Sequence, residues 1–157
     1  MTLKVDRIAP NRLRLTRRFA APPERVWQAH FDPEILPRWL TGPDGWTMTE
    51  CEVDLRTGGG FRCVWAEDAT GEGFHITGTY DVLDPPRRSV HREVMHLPDP
   101  TPENLIETLF EPDGSGTLMI QTMTLPDADS VETMLATGMT EGMELSYARF
   151  ETLEAAA

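Results

Sequence analysis

No apolar run in this sequence approaches the roughly 20 residues that a membrane-crossing helix needs, and the opening MTLKVDRIAPNR lacks the apolar core of a signal peptide. A cytoplasmic protein that stays out of membranes is the expectation. Gly-x-Ser-x-Gly, HExxH and paired CxxC patterns are missing too, which removes the familiar routes to serine hydrolysis and zinc proteolysis. Gly58-Gly59-Gly60 has neither the lysine nor the following helix of a phosphate cradle; it is predicted to be a hairpin turn, and nucleotide hydrolysis is disfavoured. Basic residues are scarce, 14 against 26 acidic, for a net charge of −12. That field repels phosphate backbones and anionic lipid, so neither nucleic acid nor a membrane is an expected partner. Only two cysteines occur, Cys51 and Cys63, flanking the glycine turn. They are expected as free thiols on adjacent strands, buried as small hydrophobes, rather than as a disulfide.

What is present reads as one domain over 1–157, with 39% apolar and 25% charged residues, enough for a real core. Phe19 to Leu40 holds two short helices, each opened by proline. Pro22 and Pro23 suit a first turn that needs no N–H, and Asp32 can cap before Pro33. Val26, Trp27, His30 and Phe31, then Ile35, Leu36, Trp39 and Leu40, recur at helical spacing. Seven strands are predicted around them, at 13–19, 48–55, 61–66, 74–83, 89–96, 104–111 and 116–125, joined by short turns into an antiparallel meander. One long helix from about Ala128 to Glu154 follows. Its stripe of Leu135, Met139, Met143, Tyr147, Phe150 and Leu153 should lie across the sheet. Gly138 and Gly142 inside it signal a close backbone approach, a kink, or room for a ligand.

The hairpin turning on Pro85-Pro86 sets Tyr80 opposite His91 and His75 opposite His96. His75 and His96 then share one face, with Trp65 or Cys63 beside them. A metal there would need a third ligand, so no metal and no cofactor is expected. On the other face Tyr80, His91 and Glu93 join Ile76, Val82 and Met95. Three readings stand open: polar lining of an apolar cavity, an acid–base pair of His91 with Glu93, or a solvated strand end. Met-rich walls accept varied apolar ligands. Trp65, Ile76, Tyr80, His91, Glu93, Met139 and Met143 are therefore the candidate ligand-binding residues. Trp27 and Trp39 are expected to anchor the helices, with Trp46 and Trp65 freer to line a mouth or a partner surface. No nucleophile with a matching base is apparent, so no catalytic residue is assigned and binding is expected ahead of catalysis.

Arg17-x-Phe19-x-Ala21-Pro22, Val26-Trp27, Asp32-Pro33, Arg38-Trp39, Gly42-Pro43, Asp54-Leu55-Arg56-x-Gly58-Gly59 and the Tyr80–Pro86 turn carry a resemblance. In their order and spacing, from about Leu13 to Leu153, the chain resembles the bacterial relatives of the C-terminal domain of the ninety-kilodalton heat shock protein's ATPase activator, within the START-like (SRPBCC) superfamily. The resemblance implies an α+β helix-grip fold of the Bet v-like kind, a curved antiparallel sheet of six or seven strands wrapped round the C-terminal helix. It implies a cavity between sheet and helix for a small hydrophobic molecule. Two alternatives accompany it: a protein-interaction module acting on a chaperone or regulator, or an enzyme of cyclase or hydrolase type. The family's paired tryptophans stand here as Trp39-Leu40 before an extra Thr41, and its Gly-Trp as Gly142-Met143. A homodimer is a further expectation, with Arg7, Arg12, Arg14, Arg17 and Arg18 on the N-terminal strand meeting the acidic body of a second copy.

Overall fold

The computed structural model describes residues 2–157. Its elements run β1 (Lys4–Ala9), β2 (Arg12–Phe19), α1 (Pro23–Phe31), α2 (Leu36–Trp39), β3 (Trp46–Val53), β4 (Gly60–Glu67), β5 (Gly73–Asp84), β6 (Arg88–His96), β7 (Asn104–Asp113), β8 (Gly116–Thr124), α3 (Ala128–Ala136) and α4 (Met139–Ala155). The strands form one antiparallel sheet of eight in the order β1-β2-β8-β7-β6-β5-β4-β3. Six of the seven pairings join strands that are neighbours in sequence or close a hairpin; β2 against β8 is the one that joins distant parts of the chain. The segment α1–α2 carries the chain from β2 to the far edge at β3. It must therefore cross a face of the sheet, and α1 packs on β7 and β8 as it does so.

The eighth strand is β1, which the sequence reading left unassigned. It pairs with β2 from Lys4↔Thr16 to Ala9↔Arg12 and buries no residue fully. An edge strand without a buried face has no hydrophobic alternation to show. The C-terminal helix differs as well. Gly138, at φ 79° in the left-handed region, ends α3 and stands before the first turn of α4, so the expected single helix is two. That conformation suits glycine because it has no Cβ to strike the backbone.

On β2 the inward face is Leu13, Leu15, Arg17 and Phe19, all buried, and Arg12, Arg14 and Arg18 point away. Phe19 meets Tyr147 and Phe150 of α4 edge-on, at ring centroids 5.4 and 5.7 Å apart. Trp39 packs on the same two rings and donates its indole N–H to Ala29 O at 3.1 Å. Trp27 and Trp39 thus anchor the helices. Arg17 is buried with the core residues, not on a solvated strand face. It pairs with Glu144 and Glu151, Arg7 pairs with Glu132 and Arg18 with Asp113. Three of the five arginines expected to meet a second copy are engaged within the chain.

Candidate functional site: a polar-lined cavity beneath the helices

Between the inward face of β4–β8 and the helices lies a cavity of about 220 Å³. All seven residues singled out from the sequence border it: Trp65 from β4, Ile76 and Tyr80 from β5, His91 and Glu93 from β6, and Met139 and Met143 from α4. Strand register explains the convergence. Tyr80↔His91↔Ile106↔Met123 forms one inward row across four strands, and Cys63↔Ile76↔Met95 forms another. Gly78 sits between Ile76 and Tyr80 on this face. A Cβ there would lie 2.3 Å from the Phe61 ring, so the missing side chain makes the space that Phe61 occupies. Trp65 is held by its indole N–H, which donates to Leu40 O at 2.7 Å.

Val82 does not share this face. The register shifts between Tyr80 and Val82 insert Asp81 as a bulge, so Leu83 rather than Val82 turns inward. His75 and His96 do stack on the opposite face, with centroids 4.1 Å apart. Their neighbour on β4 is Val64, paired with His75, and not Trp65 or Cys63, which line the cavity. Among the described residues no group of three or more His, Cys, Asp or Glu side chains gathers to hold a metal ion.

Beyond the seven candidates, the lining includes the polar side chains Ser89, Thr108, Gln121 and His30. The first three form a polar row, Ser89↔Thr108↔Gln121, across β6, β7 and β8. The signal was there, since Gln121 alternates with Met119 and Met123, and Thr108 with Ile106 and Phe110, at inward positions. His30 was read as part of the apolar stripe of α1. Its ring packs 5.1 Å from Trp39 and 5.2 Å from Phe110.

Hydrogen bonding in the cavity is incomplete. His30 Nδ1 lies 2.7 Å from Val26 O. A carbonyl only accepts, so Nδ1 carries the proton; burial lowers the imidazole pKa to about 4, leaving the ring neutral with a bare lone pair on Nε2. His91 Nε2 lies 2.8 Å from Glu93 Oε1 and donates to that carboxylate, so Nδ1 is the ring nitrogen left without a partner among the described residues. Gln121 Nε2 donates to Thr108 Oγ1 at 3.2 Å, leaving Oε1 free. Among the described residues, His30 Nε2, His91 Nδ1 and Gln121 Oε1 are all buried without a hydrogen-bond partner. Such groups carry a desolvation penalty of roughly 1–3 kcal/mol each until something pairs with them.

Nucleophilic chemistry finds less support. Among the described residues no serine, threonine or tyrosine hydroxyl hydrogen-bonds to His91 or Glu93, the contact an activated nucleophile needs. Cys63 also faces the cavity, and Cys51 Sγ lies 3.7 Å from its sulfur. The Cys51 contact and burial push the Cys63 thiol up, away from the reactive thiolate.

Sheet, overlying helices and the cavity between them together define a START-like, helix-grip protein. The sequence model of the family described as "Activator of Hsp90 ATPase homolog 1-like protein" matches residues 20–154, and the chain belongs to that family. A crystal structure of a Rhodobacter sphaeroides protein is similar over 99% of both chains, at 30% identity and a TM-score of 0.91. A Mycobacterium smegmatis protein is similar over 98% of this chain and 96% of its own, at 24% identity and TM-score 0.86. An AHSA1-like protein from Aeromonas hydrophila shares the fold at 22% identity and TM-score 0.75, over 91% of this chain and 94% of its own. No curated protein matches the chain.

Proposed function

We propose that the protein binds a small, largely apolar molecule in the cavity between the sheet and the C-terminal helices. The observation that supports this most is the combination in one enclosure of apolar walls and buried polar atoms without partners. Trp65, Ile76, Tyr80, Met139 and Met143 would contact the apolar body of the ligand, and His91 with Glu93 its polar end. A volume near 220 Å³ corresponds to roughly nine or ten non-hydrogen atoms, scaling from about 150 Å³ for a cavity that holds benzene.

Thermal unfolding against a panel of alkylated single-ring compounds tests it. A ligand present at ten times its Kd stabilises the folded state by about 1.4 kcal/mol. Met143→Trp, which fills the space from the helix side, should abolish the shift without lowering the starting Tm by more than a few degrees. An equal shift in the filled variant would refute binding at this site. A second reading rests on the family description alone, activation of the Hsp90 ATPase. It predicts a raised ATPase rate when the protein is added to the chaperone of its own cell, and an unchanged rate removes it.

A further inference from the structure

We infer that the molecule bound here is a neutral hydrogen-bond donor, carrying a hydroxyl or N–H group on an apolar body, and not a carboxylic acid of fatty-acid type. This rests on the cavity being a binding site and says what it selects.

The argument is one of complementarity. Among the described residues the lining side chains carry two buried acceptors without partners, the lone pair of His30 Nε2 and the amide oxygen of Gln121. The His30 ring is set from behind, because Val26 O accepts from its Nδ1, and Gln121 Nε2 donates to Thr108 Oγ1. The His30 ring cannot turn over to offer its N–H without abandoning that bond. Hydroxyls of Ser89, Thr108, Tyr80 and Tyr147 also border the space and rotate to give or take a proton. Among the described residues no arginine or lysine lines it, whereas the carboxyl-bearing Glu93 does. An anionic headgroup would lose its hydration, meet a carboxylate and find no cation. A hydroxyl or amine N–H would satisfy an acceptor that is otherwise unpaired.

Sites that hydrogen-bond a ligand reject the analogue lacking the donor, because the buried protein group is left unpaired. Four compounds of nine or ten non-hydrogen atoms each separate the possibilities: 4-propylphenol (donor), 4-ethylanisole (acceptor only), propylbenzene (apolar) and 4-methylbenzoate (anion). Isothermal titration at pH 7.5 should find 4-propylphenol at least about tenfold tighter than the anisole and propylbenzene, with the benzoate weakest. Gln121→Leu and His30→Phe remove two acceptors at similar volume. At least one should reduce the ratio of phenol to propylbenzene affinity several-fold. Equal affinity for phenol, anisole and propylbenzene would overturn the donor requirement and leave the cavity as a plain apolar site. Preference for the benzoate would overturn it as well. If none of the four binds, the binding reading itself falls, and this inference with it.

Discussion

Arg17 Nε lies 2.9 Å from Glu144 Oε2, joining the middle of β2 to the first turns of α4 from inside the core. Arg17 Nη1 reaches Glu151 Oε1 at 2.8 Å, so one buried guanidinium spans two helical turns. Burial alone would lower its pKa, yet bonds to the two carboxylates outweigh that and hold it above the ordinary arginine value. The guanidinium also lies over the Phe19 and Tyr147 rings, 5.0 and 5.7 Å from their centroids.

This clamp should matter to how the helix sits on the sheet. The side chains of Glu144 and Glu151 are 27% and 30% exposed, so both can rehydrate if the arginine is lost. Arg17→Ala should therefore destabilise by roughly 2–3 kcal/mol, somewhat less than the 3–5 of a fully buried pair. Combining Arg17→Met with Glu144→Gln and Glu151→Gln should restore most of that. Urea unfolding measures both, and faster amide exchange along α4 in Arg17→Ala would locate the change.

His30 makes stability pH-dependent. Its pKa falls from 6.5 unfolded to about 4 folded, chiefly through burial, with the nearby His91 adding to the fall. Above pH 6.5 the ring is neutral in both states and its contribution is fully present. As pH falls the unfolded chain takes up a proton that the folded chain excludes until about pH 4, so stability declines across that window. The loss attributable to this ring is on the order of 3 kcal/mol. Chemical unfolding of the wild type and His30→Phe at pH 7 and pH 4.5 should show a clearly smaller decline in the variant. Equal declines would mean that the ring titrates normally.

Gly138 and Gly142 should respond to alanine with opposite signs. Gly138 has φ 79°, and an added Cβ would find only Glu141 Oε2 at 3.9 Å, so backbone strain and not crowding opposes substitution. Gly138→Ala should cost about 1–2 kcal/mol. Gly142 lies inside α4, where an added Cβ would make an ordinary contact with Pro43 Cδ at 3.9 Å. Gly142→Ala should stabilise by roughly 0.5–1 kcal/mol. Thermal or urea unfolding of the two variants settles the comparison.

Much of this was legible before any coordinates. Alternation placed seven of the strands within a few residues, and prolines marked the start of α1. The turn at Pro85-Pro86 fixed the partners of Tyr80 and His75, which the β5–β6 register reproduces. Features set by local geometry were harder where two conformations shared a signal. Gly138 and Gly142 look alike in sequence, although only Gly138 adopts positive φ. Val82 looked inward because strict alternation puts it there, and the bulge at Asp81 broke the count.

The chain by itself determined the strand order along the sequence, the amphipathic faces and seven side chains that border one cavity, because periodicity and turn chemistry act over a few residues. Tertiary structure decided what that cavity offers. Gln121 and Thr108 are 13 residues apart, and His30 reaches the enclosure from a helix laid across β7 and β8. Whether a buried nitrogen or oxygen has a partner depends on neighbours that only the folded chain supplies. The unpaired polar atoms of His30, His91 and Gln121 were therefore invisible as a set until the sheet and helices packed around them.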